Sequence, residues 1–349
     1  MRILYAGSMT AGSSATTRMW ALRRAGHEVT VVDPDAYWAK NKYVHKVMFR
    51  LMAGPWVNRL NRELLRLAEE FKPDVFWADK VLALQPKTLK KLRAMGITAV
   101  SYMIDNPFGP RRDPGWGLYM KCIPLWDLHC TQRDVSVTAY KERGAQDVIK
   151  IQTAYEREVH FPAPAGWTDK DRDREVSFIG MPYDDRAEFL AQLSEAGLPV
   201  VISGPTRSWQ RALSPERFAR LHREGELSDE AYRKGVWRSK INVSFLTKSN
   251  QDEFTQKSFE IAGCQGFLLV ERSEGHLARF REDEEAVFFT GIDECVAKIK
   301  RYLPDEAARE RIAAAGRARA VRDGYDNDTQ VGRIVERLTE ILKRTRKDG

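Results

Sequence analysis

Short apolar runs alternate with helix-period segments almost from end to end, and that alternation admits few folds besides parallel βαβ construction. In the first half the expected strands are 2–6, 28–33, 73–78, 97–103, 127–131 and 147–151, with helices at 15–25, 55–71, 85–95 and 134–143. FPAPAGWTDKDRDRE at 161–175 then mixes Pro, Gly and charge with little apolar content, the composition of an interdomain linker. The pattern restarts beyond it, with strands expected at 175–180, 199–203, 241–245, 267–271 and 286–290. A chain of 349 residues suits two domains on the usual prior of about 150 residues each. The expected fold is therefore α/β, two Rossmann-like domains at 1–163 and 174–325, followed by a terminal helix within 326–349. In that helix Val331, Ile334, Val335, Leu338, Ile341 and Leu342 form a 3–4-spaced stripe that must pack on something.

Composition removes several classes. Hydrophobic content of 43% and charge of 30% are those of a soluble globular protein. The balance of 57 Lys+Arg against 49 Asp+Glu favours anionic ligands or an anionic membrane surface. The basic residues are spread along the chain except for KRTRK at 343–347, so nucleic acid is not an expected partner. Cys122, Cys130, Cys264 and Cys295 show no C-x-x-C spacing and read as reduced core thiols, with no metal site expected. Met1 leads into a short strand and no apolar run approaches the ~18 residues of a membrane span, so the expected location is the cytoplasm.

The densest chemistry lies in LTKSNQDEFTQKSFEIAGCQGFLLVE, 246–271, where a polar loop enters a short helix, a Gln-Gly turn and an apolar strand. Thr255 is the expected N-cap, with Gln256, Lys257 and Ser258 in the first turn. Free amides and the positive end of the helix dipole suit a diphosphate there, and Lys257 adds a mobile cation. Glu260 lies about one turn deeper, where a carboxylate can accept from two ribose hydroxyls. A cation, amides and a sugar-binding carboxylate within six residues suit a nucleotide-sugar leaving group.

The same run resembles the donor motif of GT-B glycosyltransferases, most closely the CgeB-like group named after a spore-maturation protein, whose pattern reads roughly N-[RQ]-D-x-x-T-x-R-S-F-E-I-P-A-C-G. Asn250, Asp252, Thr255, Ser258, Phe259, Glu260 and Ile261 stand in the matching places. Lys257 replaces the usual Arg, turning a bidentate phosphate clamp into a point charge, and Ala262-Gly263 replaces Pro-Ala. RILYAGS, RMWALRRAGHEVTVVD, WADK, IDNPFG, PLWDLH and AAAGRARAVRDGY are similar in order and spacing, so the resemblance covers roughly 1–330. It implies two domains facing each other across a cleft, a last helix crossing back to the first domain, and transfer from a UDP- or GDP-type sugar to an unidentified acceptor. The nucleotide sugar is then substrate, and no cofactor is called for. A non-catalytic nucleotide- or glycan-binding protein that kept the fold is the competing reading.

In open α/β sheets ligands sit beyond the carboxyl ends of strands. That rule selects Asp79-Lys80 and Asp105-Asn106 for the acceptor, and Gly180-Met181 and Gly204-Pro205 for the donor. Asp105 is the candidate base, or else a turn-forming Asx-Pro residue. Asp252 lies eight positions before Glu260, the spacing of the paired acids in retaining GT-B enzymes, and is the second catalytic candidate. Gly7 and Ser8 open the small polar loop 7–17, which is either a tight turn or an acceptor contact. That loop lacks G-x-G-x-x-G and has Ser13 where a P-loop needs Lys, which demotes oxidoreductase and NTPase readings. His129 is either structural or placed in the acceptor cleft. D-x-D pairs at 33–35, 171–173 and 326–328 lie in charged loops and read as chance. Finally, 36–71 mixes Lys and Arg with aromatics, either to fill the core with a helical pair or to rest on an anionic inner membrane face.

Overall fold

A computed structural model describes residues 1–110 and 114–345. Among these residues the strands form two six-stranded sheets, and every pairing within them is parallel. The first contains β1 (Arg2–Ala6), β2 (Glu28–Val32), β3 (Val75–Asp79), β4 (Thr98–Tyr102), β5 (Leu128–Thr131) and β6 (Val148–Lys150), in the order β2-β1-β3-β4-β5-β6. The second contains β7 (Arg174–Ile179), β8 (Val200–Ser203), β9 (His222–Glu224), β10 (Ser239–Ser244), β11 (Leu268–Glu271) and β12 (Val287–Phe289), in the order β12-β11-β10-β7-β8-β9. Helices cover both faces, which is why β3 and β4 are buried at every residue and carry apolar runs rather than alternation. The α/β class and the paired Rossmann-like sheets expected from the pattern are both present.

The strand β9 and the helix Trp116–Cys122 were not anticipated, whereas Lys42–Leu51 and Pro55–Phe71 form the helical pair that 36–71 allowed. His-Arg-Glu offers no apolar residue to mark a strand. It lies at a sheet edge, where its Glu224 meets the buried Arg174.

The chain divides into two compact units, 1–152 with 327–349 and 153–326. The division falls at Gln152 rather than 163 because the 161–175 stretch is bound to the second unit. Trp167 donates its indole N–H to the Trp237 carbonyl (3.1 Å), and Thr168 caps a short 3₁₀ turn at Asp169–Asp171. In the first unit, the helix Asn327–Thr345 buries Val331, Ile334 and Leu338 against Ile3, Tyr5, Met19, Leu22 and Trp77. Each such side chain contributes roughly 1.5–3 kcal/mol on burial. Arg24–Asp328 and Arg337–Asp147, both at 2.7 Å, fix the helix along its length. The apolar stripe thus finds the partner that the sequence demanded.

Strand order locates the ligand edges. In the first sheet the order reverses between β1 and β3, so the loops after Ala6 and Asp79 flank a crevice. In the second it reverses between β7 and β10, so the loops after Ile179 and Ser244 do the same.

Candidate functional site

In the second unit the loop after β10 runs into the helix Gln256–Gly263. Thr255 occupies the N-cap with extended backbone, but its side chain makes no capping bond. The Ser258 amide bonds the Thr255 carbonyl (3.1 Å) and the Thr255 amide bonds His276 Nε2 (3.4 Å). The first-turn amides left without a partner among the described residues are those of Gln256 and Lys257. Lys257 lies across Gly180, at the end of β7, so closely that a Cβ on that glycine would stand 3.3 Å from Lys257 Cε. Its ammonium is 4.3 Å from the centre of the Tyr232 ring. Burial lowers the Lys257 pKa; Glu260 opposes the shift and Arg186 adds to it.

Glu260 follows on the same face of the helix and is 9% exposed. Its Oε1 accepts from Gln256 Nε2 at 2.7 Å, and Gln256 Oε1 in turn accepts from Thr153 at 3.1 Å. Burial alone would raise the Glu260 carboxyl, but His160, Lys257 and the Gln256 bond outweigh it and hold the pKa below its ordinary value. The Tyr232 hydroxyl lies buried beside it without closing a hydrogen bond of normal geometry. A cation and a charged carboxylate therefore stand one turn apart at the switch point of the sheet.

Gly180 and Gly204 adjoin. A Cβ on Gly204 would lie 2.1 Å from the Gly180 carbonyl oxygen and 2.5 Å from Trp209 Nε1, which donates to that same oxygen at 2.9 Å. Only glycine lets the two strand ends close on one another. Met181 offers its carbonyl to Arg186 (3.4 Å), and Pro205 precedes the helix Thr206–Ala212.

Two donor-side expectations need correction. Phe259 is 0% exposed in an aromatic cluster with Phe254, Phe280 and Tyr325, so it anchors the helix rather than facing a ligand. Ser258 is equally buried, its hydroxyl donated to His276 Nε2 at 2.9 Å, while His276 Nδ1 donates to the Glu271 carbonyl at 3.0 Å. Asp252 serves the loop, accepting from the Thr247 amide (3.3 Å) and from Asn250 Nδ2 (3.0 Å). Sequence reasoning missed Arg186, a buried guanidinium that holds the Leu246 carbonyl (3.1 Å) and Thr247 Oγ1 (2.9 Å) and so ties the β7 end to the β10 loop. Its one legible signal was an arginine six residues past a strand-ending glycine.

In the first unit a cavity of about 290 Å³ is lined by Ser8, Arg18, Trp38, Met52, Asp79 and Lys80 among others. Gly7 is forced, since a Cβ there would meet the Tyr5 ring at 2.9 Å and Asp79 Cβ at 3.1 Å. Ser8 donates to Asp35 (2.5 Å), and Lys80 pairs with Asp105 (2.6 Å). Asp79 is not free to meet an acceptor, because Arg18 grips both its oxygens (2.7 and 2.9 Å) and Tyr5 adds a hydroxyl at 2.6 Å. Asn106 is likewise spent on the Phe108 amide (3.0 Å). His129 is a core residue, 0% exposed, stacked on Tyr140 and bonded to the Ile123 carbonyl at 2.9 Å. Asp79 and Asn106 depart from the acceptor expectation because a strand-end position does not reveal which way a side chain is drawn, whereas His129 takes the structural of its two readings.

A cavity of about 360 Å³ in the second unit involves Trp167, Trp237, Lys240 and Arg309. It abuts the amino ends of β10 and β11, the edge opposite Lys257, and so has no part in this site.

Burial holds His129 and His276 at a pKa of about 4, below the unfolded value near 6.5. The unfolded chain then binds more protons than the native one between those values. Their stabilisation is complete above about pH 6.5 and is lost as pH falls towards 4, on the order of 3 kcal/mol each. Urea midpoints should decline across that window, and less steeply in His276→Gln. A midpoint independent of pH there would contradict the buried neutral rings.

Two six-stranded parallel Rossmann-like sheets, each covered by helices, define the GT-B class of fold. Over residues 186–336 the chain matches a family model described as glycosyl transferase-like. Among solved structures it resembles HepE of Anabaena in complex with UDP-glucose, with a TM-score of 0.69, 12% identity, and 97% of this chain and 100% of that one covered. Sucrose-phosphate synthase of Thermosynechococcus elongatus is similar at 0.69 and 12%, covering 98% and 100%. So is α,α-trehalose-6-phosphate synthase of Burkholderia multivorans, at 0.64 and 12%, covering 99% of each. At such identities the likeness is one of fold. No curated protein matches the sequence significantly.

Proposed function

We propose that the protein transfers a sugar from a nucleotide-diphosphate sugar to an acceptor hydroxyl, the second unit holding the donor and the first the acceptor. The observation that carries this is the Lys257–Glu260 pair, a cation and a ribose-type carboxylate one helical turn apart beside Gly180 at a sheet switch point. HepE, similar in fold, was crystallised with UDP-glucose, which favours a UDP-type donor over GDP. The CgeB-like resemblance of 250–261 agrees with the class. In this reading Lys257 and the Gln256 and Lys257 amides neutralise the departing diphosphate, and Glu260 holds the ribose. Asp105 is the carboxylate assigned to the acceptor hydroxyl, and Asp252 shapes the donor loop. The reaction draws on no resident cofactor.

The competing reading, a binding protein without turnover, has one observation in its favour. Asp105 is tied to Lys80 and Asp252 to its own loop, so neither carboxylate stands ready. A thermal-shift panel of UDP, GDP, ADP, dTDP and NAD tests the donor site, since a ligand at ~100 times its Kd stabilises by roughly 2.7 kcal/mol. A clear UDP shift is expected, and a shift with NAD alone would overturn the assignment. Consumption of UDP-glucose in the presence of acceptor extracts then separates enzyme from binding protein.

A further inference from the structure

The helix Lys42–Leu51 is built to stay folded while leaving one apolar face uncovered. Asn41 caps it, accepting from the Tyr43 and Val44 amides at 3.0 and 3.3 Å. Met48 is buried in the core of the first unit, with Phe49 packed against that core. On the other side Tyr43, Val44, Val47 and Leu51 are 70%, 37%, 57% and 67% exposed. At about 100° per residue these four fall in one sector roughly 100° wide. Lys42, Lys46 and Arg50 fill the adjoining sector.

Charge decides what fits this face. From 36 to 62 there are six basic residues, Lys40, Lys42, Lys46, Arg50, Arg59 and Arg62, and no Asp or Glu, although the chain as a whole has 57 basic to 49 acidic residues. Among the described residues none of the six forms a salt bridge, whereas arginines elsewhere are commonly paired. Exposed aliphatics and a tyrosine bordered by unopposed cations match the boundary of an anionic bilayer, where apolar groups enter the acyl region and lysines meet the headgroups. The rest of 36–71 takes the other course, since Val57, Leu60, Leu64 and Ala68 of the helix Pro55–Phe71 are core residues. Among the described residues no helix is long and apolar enough to cross a membrane, so the contact is one that lies on the surface.

We infer that the helix Lys42–Leu51 seats the first unit on an anionic membrane surface. Phe49 and, just beyond the helix, Met52 also line the cavity that holds Ser8 and Lys80. The helix therefore joins the lipid face to the cavity wall, and the acceptor selected by that placement is a polar compound anchored in the bilayer. That last step rests on the transferase reading; the docking itself does not.

The test is co-sedimentation with vesicles of phosphatidylcholine alone and of phosphatidylcholine mixed with phosphatidylglycerol, at low and high salt, with UDP thermal shift measured on the same samples. Binding is expected to the anionic vesicles only, and to weaken with salt. Val47→Glu/Leu51→Glu should abolish it, and Lys46→Gln/Arg50→Gln should lower it about fivefold per charge removed. Val321→Glu, on an exposed residue of the second unit, should leave it unchanged. Unaltered UDP shifts in all three variants would show the donor site intact, so loss of docking and failure of the donor reading remain distinguishable. No sedimentation at low salt would overturn the inference. So would equal binding to neutral vesicles, or a dimer in sedimentation velocity that Val47→Glu/Leu51→Glu dissociates.

Discussion

Lys257→Ala should weaken UDP binding ten- to a hundredfold while leaving uridine binding nearly unchanged. A charge-assisted hydrogen bond is worth roughly 1.5–3 kcal/mol, and the lysine is assigned to the diphosphate alone. Glu260→Ala should weaken both ligands, because it removes the group assigned to the ribose they share. Lys257→Arg should retain or improve binding, since a guanidinium can grip a phosphate through two donors. The lysine also makes a pH prediction. Burial beside Tyr232 and the influence of Arg186 lower its pKa, so it loses its proton at lower pH than an ordinary lysine. UDP affinity of the native protein should therefore fall on the alkaline side, and that fall should vanish in Lys257→Arg. Isothermal titration of the three variants, each first checked for native melting, reads all of this. If both alanine variants fold normally and bind UDP and uridine like the parent, the donor site lies elsewhere.

The parts of this molecule legible in its sequence are those set by periodicity. Strands buried on both faces leave continuous apolar runs, and β1, β3, β4, β7 and β11 lie within two residues of where such runs placed them. The 3–4 spacing of Val331 through Leu342 likewise implied a buried face, and the face exists. Side-chain direction was not legible. Asp79 and Asp105 both follow strand patterns, yet one is drawn inward by Arg18, sixty-one positions away, and the other is paired with Lys80. His276 takes the Ser258 hydroxyl from eighteen positions away, which no local motif announces. Lys42–Leu51 was legible as half of a helical pair, but the side it turns to solvent was not. Its cations and its apolar residues fall in separate sectors, a pattern that marks a helix without saying whether the apolar side is buried or exposed.

The inward-drawn pair at Asp79 carries the largest stability prediction. Arg18 and Asp79 are 2% and 4% exposed, and their two-pronged contact is completed by the Tyr5 hydroxyl and by the Tyr102 ring, 4.2 Å from the Arg18 guanidinium carbon. Burial works against the Arg18 charge, and Asp79 more than compensates. Asp79→Ala would strand a guanidinium beneath the β1–β3 crevice with no counter-ion, at a cost of about 3–5 kcal/mol. Removing both charges is a different matter, because no ion is then left desolvated. Arg18→Met/Asp79→Leu should therefore be markedly more stable than Asp79→Ala, despite two substitutions instead of one. Urea unfolding of the three proteins decides between a pair that holds the fold and one that merely occupies it. If the single variant costs less than about 1 kcal/mol, the figure of an ordinary exposed pair, water or a neighbouring group reaches Arg18 and the pair does not govern the crevice. If the double variant is stable but no longer supports transfer, the two charges are retained for the cavity they floor rather than for stability.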